Sequence, residues 1–411
     1  MRKMLQVLLV NPFASSRYLF ERFRSFEVKT IALYTIDFAI IPAYLMPKDD
    51  LFDEQIRFKS ENWEEIVAKL GDKKFDYVVN GFEMSVELSD RLAEHYTPQY
   101  ANNPETAKLR SDKYEMHKAL ERKGVSHIRQ FLYDINDDLP KIEDYGINYP
   151  CFVKPLAAAV SLGASKIYSE FELVNYFKGA DQYKNFWQNE SNQDKFLIAE
   201  YVVGQELFVD TFSVNGQHHI ATIQKYCKED FNGHPVCYYN EPVDDPNIRR
   251  LAEEYIKQIL DATELRNGFA HTELFLLPNN ELKLIEINPR VSGASGMVNK
   301  MTMLNNGRGQ VSLLMNNVFG HDLSTGDGKY SRCVIISNLS GKPLYNLKEN
   351  LKKYSTVFEV LQLVADGHVL DSLENITLAD ASALVLLRSD SLDQVVKDTE
   401  GILAQDKLGW N

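Results

Sequence analysis

Short apolar stretches alternate with amphipathic stretches along the first hundred residues. Three apolar stretches have the length of strands: 4–10, 30–34 and 75–80. Two amphipathic stretches repeat apolar positions at helical spacing: 17–26 and 62–70. Strands that alternate with helices are typical of βαβ units in an open parallel sheet. The pattern therefore predicts a small Rossmann-like domain, although no GxGxxG motif follows its first strand to indicate a dinucleotide.

The pattern changes after a polar break at 102–106. A helix is predicted over 111–122, and a strand, a loop of small residues and a second strand follow between 149 and 168. Five further strand-like stretches predict an antiparallel sheet: 196–203, 207–214, 219–224, 270–277 and 282–287. A helical region is predicted over 301–319, and mixed strands and helices return from about 331. We expect four parts, over residues 1–101, 102–200, 201–330 and 331–411.

Composition narrows the class of protein. Hydrophobic residues make up 44% and charged residues 25% of the 411 residues, which is typical of a globular chain. The net charge of −13 disfavours broad binding to nucleic acid or to anionic lipid. The four cysteines form no CxxC pair, and no apolar stretch has the length of a signal sequence or a membrane span. We therefore expect a cytoplasmic protein without a nucleic-acid or membrane partner.

Two carboxylates and an amide are predicted to converge on the antiparallel sheet. Glu273 lies on one strand-like stretch, and Glu286 and Asn288 lie on the next, just before Arg290. Alternate residues of a strand share a face, so Glu286 and Asn288 point the same way, as do His271 and Glu273. An all-oxygen cluster suits Mg²⁺, and an arginine fork suits phosphate. The alternative is that both glutamates are solvated on an exposed sheet face.

Two other segments have weaker signals. Lys154 ends an apolar strand before the small-residue loop 157–165, where a lysine and backbone N–H groups can meet an anion. The alternative is a plain turn beside a surface lysine. Residues 200–206 combine a strand end, a glycine turn and a carboxylate, which can contact adenine and ribose or form an ordinary hairpin.

The order of these segments resembles that of the ATP-grasp superfamily. In chain order they are Ser-Asp-Lys at 111–113, Phe-Val-Lys-Pro at 152–155, the small-residue loop, Glu-Tyr-Val at 200–202, Gly-Gln-Glu at 204–206, His-Thr-Glu at 271–273 and Glu-Ile-Asn-Pro-Arg at 286–290. Within the superfamily the chain is similar to bacterial L-amino-acid ligases, which join two unprotected amino acids. The implied fold is an ATP-grasp fold of α/β and α+β character, with a Rossmann-like N-terminal domain and a small C-terminal α+β region.

The resemblance implies a role for each matching residue. The residues implied to contact ATP are Lys113, Lys154, Ser161, Gly163, Ser165, Glu200, Tyr201, Val202 and Glu206. The lysines would reach the phosphates and the adenine side, residues 161–165 would cover the phosphates, residues 200–202 would border adenine, and Glu206 would bind the ribose. The implied magnesium ligands are Glu273, Glu286 and Asn288, for two ions, with Mn²⁺ as the other candidate metal. The implied catalytic residues are Arg290, Glu273, Ser292, Gly293 and His271.

The implied activity joins free amino acids through an acyl phosphate and releases ADP and phosphate. Backbone N–H groups in 291–296 are candidates for the oxyanion site, although this segment is equally typical of a connection into a helix. His271 is equally typical of a structural residue. Glu83 and Glu241 are candidates for recognising a basic amino acid such as arginine.

Two other functions stay open from the sequence. One is an ATP-grasp ligase that acts on a different carboxylate, and the other is a regulatory protein that binds a nucleotide without catalysis. Residues 331–411 are expected to pack over the site or to support a homodimer.

Overall fold

Three β-sheets organise the chain. The structure is a computed structural model that describes residues 4–41, 46, 51–156, 163–180, 194–232, 234–374 and 376–410. Ser161, which is implied to contact phosphate, lies outside the described residues.

The N-terminal residues form a four-stranded parallel sheet with the order β3-β2-β1-β4. Its strands are β1 (Gln6–Val10), β2 (Lys29–Tyr34), β3 (Glu54–Arg57) and β4 (Tyr77–Asn80). Its helices are α1 (Ser16–Ser25), α2 (Trp63–Leu70) and α3 (Val86–Tyr96). Residues of α1 pack with Val7 and Leu9 on one face, and α2 and α3 pack with Leu8 and Val10 on the other. The Rossmann-like arrangement is confirmed, and the chain crosses from one side of β1 to the other at β4.

A second, antiparallel sheet has the order β5-β8-β6-β7. Its strands are β5 (Gln130–Asp134), β6 (Cys151–Pro155), β7 (Ser165–Ile167) and β8 (Lys195–Glu200). The associated helices are α4 (Lys108–Ser111), α5 (Lys113–Arg122) and α6 (Glu170–Lys178). The helix predicted over 111–122 is divided at Asp112, whose backbone is extended. The Asp112 carboxylate accepts hydrogen bonds from the N–H groups of Tyr114 and Glu115, so it starts a new helix as an N-cap.

The third sheet has eight antiparallel strands in the order β13-β12-β9-β10-β11-β14-β16-β15. Its strands are β9 (Gln205–Val214), β10 (Gln217–Phe231), β11 (His234–Pro242), β12 (Gly268–Leu276), β13 (Leu282–Asn288), β14 (Tyr330–Ile336), β15 (Val357–Gln362) and β16 (Ala383–Ser389). Its helices are α7 (Pro246–Ala262), α8 (Met297–Asn306), α9 (Gln310–Phe319), α10 (Leu347–Leu351) and α11 (Leu392–Leu408). Because β11 pairs with β14, the sheet runs without interruption into the C-terminal residues.

The eight-stranded sheet separates two layers of helices. On one face, Leu207, Val209 and neighbouring side chains form a core with α7. On the other face, Phe208 and Tyr226 pack with Met297 and Met301 of α8. Successive residues of β9 therefore point into different layers, as the period of a strand requires.

The structure contains elements that the sequence analysis does not predict, and it divides a second predicted helix. The additional elements include β3, α3, β5, α7 and β11, and β10 is much longer than the predicted stretch 219–224. The helical region predicted over 301–319 is two helices, because Gly307 ends the first with a φ of 75°. A Cβ atom at this position would lie 1.7 Å from the carbonyl oxygen of Ser324. In the described part of the chain, no helix has the length and apolar character needed to cross a membrane.

Candidate active site

The two glutamates of the predicted cluster face each other on neighbouring strands. In the β12–β13 hairpin, Glu273 pairs with Glu286 and His271 pairs with Asn288. The Asn288 amide donates a hydrogen bond to Glu286 Oε1 at 3.2 Å. The hairpin thus brings two carboxylates and an amide together, as the sequence predicts.

Two lysines from other elements approach Glu286. Lys113, at the start of α5, places its Nζ atom 3.2 Å from Glu286 Oε2. Lys154, on β6, is largely buried, and desolvation together with the Lys113 charge lowers its pKa to about 8. Against the desolvation that burial imposes, Lys113 and Lys154 hold the pKa of Glu286 at about 2. The glutamate is therefore ionised at neutral pH and lies beside two ammonium groups.

Arg290 connects this cluster to the N-terminal sheet. Its Nε atom donates a hydrogen bond to Glu83 Oε1 at 2.6 Å, and its Nη1 atom donates to the carbonyl of Val291. The Asn80 amide, at the end of β4, donates to the carbonyl of Pro289 at 2.9 Å. In open parallel sheets, ligands bind beyond the carboxyl ends of the strands, where the strand order reverses. Arg290 and Glu83 lie beside that position, between β1 and β4.

Glu241, the other candidate for substrate recognition, lies on the opposite face of the eight-stranded sheet. It pairs with Lys225 across β10 and β11, and its carboxylate is 2.8 Å from Lys225 Nζ. Its second oxygen accepts a hydrogen bond from Arg332 Nε at 2.6 Å. Tyr226, the next residue along β10, points to the face that carries Glu273. The structure therefore separates Glu241 from the cluster.

Ser292, a predicted catalytic residue, is held in its loop by hydrogen bonds through its N–H, hydroxyl and carbonyl groups. Its N–H donates to the side-chain oxygen of Gln310 at 3.0 Å, and its hydroxyl accepts from Asn299 at 2.8 Å. Its carbonyl accepts a hydrogen bond from the Ser15 hydroxyl at 2.8 Å. These bonds fix the loop to α1, α8 and α9. They leave the Ser292 N–H engaged within the protein.

The residues after Ser292 form a tight turn into α8. Gly293 is half-buried, and its carbonyl accepts a hydrogen bond from the N–H of Gly296. Ala294 and Ser295 have φ values of 51° and 46°, which are unfavourable for residues with a side chain. Gly296 has a φ of 80°, and a Cβ atom there would lie 2.1 Å from Cβ of Tyr18. The turn therefore stores backbone strain beside Arg290, and Gly296 is required for the close approach of α1.

His271 is buried between two carboxylates. Its Nδ1 atom is 2.7 Å from Asp210 Oδ1, and its Nε2 atom is 3.5 Å from Glu273 Oε1. Although burial opposes protonation, Asp210 and Glu273 raise the pKa of His271 to about 9. The side chain is thus a cation held within the sheet.

The remaining predicted nucleotide residues lie where the second sheet joins the third. Glu200, at the end of β8, contacts Lys283 of β13 at 2.5 Å and Arg129 at 3.0 Å. Glu206, at the start of β9, contacts Lys228 at 2.5 Å. Tyr201 and Val202 form the extended connection between these strands.

Two more residues that are predicted to contact ATP, Gly163 and Ser165, lie just before or at the start of β7. The Gly163 carbonyl accepts a hydrogen bond from the Tyr176 hydroxyl at 2.6 Å, and Ser165 begins β7. Lys166, the next residue, places its ammonium group 4.0 Å from the centre of the Tyr201 ring. The residue that follows the predicted loop therefore contacts the predicted hinge.

Sequence analysis missed several charged or polar residues of this region. They are Lys166, Asp210, Tyr226, Lys228 and Lys283. A signal existed for two of them, because Tyr226 and Lys228 are two residues apart on β10 and share a face. Asp210 was detectable as the single charged residue within the apolar run of β9.

In the described part of the chain, no group of three or more histidine, cysteine, aspartate or glutamate side chains has the arrangement of a metal site. The cluster instead offers two carboxylates and one amide. Mg²⁺ is often held in this way, because it takes one or two protein carboxylates and completes its shell with water and substrate phosphates. The donor set therefore fits a metal that arrives with a nucleotide.

The fold and the site together define the class of protein. Residues 147–298 match the family described as an ATP-grasp domain. The match covers 152 of the 411 residues, and for this part of the chain it confirms the ATP-grasp resemblance that the order of the motifs predicts.

Solved structures with this fold cover nearly the whole chain. The crystal structure of an L-amino acid ligase from Bacillus licheniformis has a TM-score of 0.75 and 16% identity, over 98% of each chain. A phosphoribosylglycinamide synthetase from Anaerococcus prevotii has a TM-score of 0.67 and 16% identity, over 98% of each chain. An N5-carboxyaminoimidazole synthetase from Staphylococcus aureus, complexed with ADP, has a TM-score of 0.69 and 16% identity, over 98% of each chain.

Curated relatives are much longer proteins. The carbamoyl phosphate synthase large chain of Clostridium botulinum is 21% identical over 254 residues, which are 61% of this chain and 23% of the relative. The chain thus spans about a quarter of the length of the curated relatives it matches.

Proposed function

We propose that the protein is an ATP-dependent carboxylate–amine ligase that joins two unprotected L-amino acids into a dipeptide and releases ADP and phosphate. The observation that carries this proposal is the convergence of Lys113, Lys154, Glu273 and Glu286 beside Arg290. Ammonium groups and metal-binding carboxylates at one place suit a nucleotide triphosphate. The likeness to an L-amino acid ligase over the full length of both chains supports amino acids as the substrates.

The site supplies what phosphoryl transfer requires. Lys113 and Lys154 would bind the phosphates of ATP, and Glu273, Glu286 and Asn288 would hold magnesium. Magnesium, when bound, neutralises charge on the phosphate oxygens. Because the Glu286 pKa is held at about 2, this ligand is ready to bind a cation without first losing a proton.

The chain's own residues then have separate tasks. A free carboxylate is a poor electrophile, and the transfer of the γ-phosphoryl group converts it into an acyl phosphate that an amine can attack. Arg290 would meet the substrate carboxylate. Glu83, which pairs with Arg290, would accept hydrogen bonds from the ammonium group or the basic side chain of an amino acid such as arginine.

The oxyanion of the second step would be stabilised by Arg290 and by the N–H groups of the turn that follows Gly293. Ser292 would act indirectly, because its hydrogen bonds to Gln310 and Asn299 hold the turn in its strained form. Removing one oxyanion donor typically costs about 100- to 1,000-fold in turnover.

The proposal is tested by measuring phosphate and nucleotide release from ATP and Mg²⁺ over pairs of free amino acids, with mass spectrometry of the products. We expect ADP, phosphate and a dipeptide for particular pairs only. Glu286→Gln should lower this turnover by about 100-fold or more, since it removes a metal ligand that is ionised in the folded protein. The matched control is Glu254→Gln, which changes an exposed glutamate on α7.

Two results would contradict the proposal. Unchanged turnover in the Glu286→Gln variant would remove this carboxylate from the metal site. ATP turnover that depends on bicarbonate or on a nucleotide precursor, and not on amino acids, would assign the site to another ATP-grasp ligase.

A further inference from the structure

A buried polar chain leads from β9 to the carboxylate of Glu273. Asp210 Oδ1 is 2.7 Å from His271 Nδ1, and the strands place these two residues directly opposite each other. His271 Nε2 is 3.3 Å from the Tyr226 hydroxyl. That hydroxyl donates a hydrogen bond to Glu273 Oε1 at 3.0 Å. Four side chains from three adjacent strands thus form one connected network.

The direction of each hydrogen bond follows from the groups involved. An ionised aspartate only accepts, so Nδ1 of His271 carries a proton and donates it to Asp210. The single hydroxyl proton of Tyr226 is used towards Glu273, so the hydroxyl oxygen is free to accept from Nε2 of His271. The network therefore connects Asp210, through His271 and Tyr226, to the Oε1 atom of Glu273.

The charged members of this network are buried, which lowers the stability of the folded protein unless their charges are paired. Asp210 is fully buried and His271 is nearly so. Asp210 Oδ2 is also buried, and it has no hydrogen-bond partner among the described residues. A buried charge of this kind is strongly destabilising unless it is paired. The sheet keeps it at the position opposite His271.

Glu273 and Glu286 need separate support because they are cross-strand partners with like charge. Like charges directly opposite each other in a sheet repel. Lys113 and Lys154 hold Glu286, as described above. Glu273 is instead contacted at Oε1, by His271 Nε2 at 3.5 Å and by the Tyr226 hydroxyl at 3.0 Å. The pairing register also shifts between Glu273 and the next residue, so the backbone alone does not fix this side chain as a regular strand would.

We propose that Asp210, His271 and Tyr226 are positioning residues that hold Glu273 by Oε1 and leave Oε2 for the magnesium of the bound nucleotide. This inference rests on the proposed function, since it concerns the metal of the same site. Asp210 acts only through His271. Tyr226 acts on Glu273 directly and without a charge of its own.

The test measures metal binding rather than turnover. Mn²⁺ is titrated into the protein with a non-hydrolysable ATP analogue, and free Mn²⁺ is followed by electron paramagnetic resonance. Tyr226→Phe and Asp210→Asn should each weaken Mn²⁺ binding by about 10-fold or more, as changes to residues that orient metal ligands generally do. The matched control is Tyr77→Phe, which removes a buried hydroxyl that has no hydrogen-bond partner in the described part of the chain.

The outcomes separate this inference from the proposed function. If the unchanged protein binds no Mn²⁺ with the ATP analogue, both proposals fail. If it binds Mn²⁺ and the folded Tyr226→Phe variant binds equally well, only the positioning role is wrong. A missing thermal unfolding transition would show that the Asp210→Asn variant does not fold. The Tyr226→Phe variant then decides the question alone. It is expected to fold, because the change removes only one oxygen atom and keeps the aromatic ring.

Discussion

Replacing Lys154 with methionine should make the nucleotide-free protein more stable while it loses ATP binding. Burial and the neighbouring Lys113 lower the pKa of Lys154 from its ordinary value of 10.5 to about 8. The charged form is therefore disfavoured in the folded protein relative to the unfolded chain. That difference corresponds to up to about 3 kcal/mol at neutral pH. Methionine has a similar shape and carries no charge, so it removes this cost.

The pH dependence of the free energy of unfolding tests whether Lys154 destabilises the folded protein. Below pH 8 the lysine is protonated in both states, so the cost is fully present in the unchanged protein. Between pH 8 and 10.5 the unfolded chain binds more protons than the folded protein, so the stability of the unchanged protein rises with pH. The advantage of Lys154→Met should therefore be largest at pH 7 and nearly gone above pH 10.5.

Calorimetric unfolding at pH 7, with and without Mg²⁺ and ATP, measures both effects. Without nucleotide, the variant should unfold up to about 4 °C above the unchanged protein. A saturating nucleotide should stabilise the unchanged protein and leave the variant unaffected. Lys118→Met, which changes a partly exposed lysine on the outer side of α5, should alter neither property. A variant that unfolds at a lower temperature than the unchanged protein without nucleotide would refute the reasoning about the buried cation.

Two further changes test the loop and the substrate side of the site. Gly296→Ala should destabilise the protein by about 1–3 kcal/mol, because the new methyl group overlaps Tyr18. The control for stability is Gly293→Ala, whose new methyl group meets no atom within 4 Å. Equal unfolding temperatures of the two variants would contradict the packing argument. Glu83→Gln should lower kcat/KM for the amino acid by about 10-fold, because it removes the ion pair with Arg290. The affinity for ATP, measured by calorimetry, should not change. An equal loss of kcat/KM and of ATP affinity would show that Glu83 acts on the whole site.

Elements set by local periodicity could be predicted from the sequence. Three strands and two helices of the Rossmann-like domain and the β12–β13 hairpin follow directly from apolar spacing and turn residues, whereas β3 and α3 were not predicted. α7 was not predicted, although its signal is equally local: an Asp245 cap, Pro246 and apolar residues at helical spacing over 248–260. The length of β10 depends on its pairing with β11, so it could not be deduced from residues 219–224 alone.

Some residues of the candidate site could be predicted from local sequence, and others could not. Glu273, Glu286 and Asn288 share a hairpin, so their convergence is a matter of strand period and register. The contact between Arg290 and Glu83 joins residues 207 positions apart, and it depends on how the N-terminal sheet docks against the third. No local pattern contains that information.

The N-terminal sheet holds the Arg290 side of the candidate site, whereas the nucleotide side depends on the second sheet. The Arg290 loop is tied to that sheet by Asn80 and Glu83, whereas the second sheet continues into the third through the short connection that contains Tyr201 and Val202. A rotation of the second sheet about this connection breaks neither of the ties. Under the proposed function, an amino acid beside Arg290 would therefore be held by residues that do not move with the nucleotide side of the site.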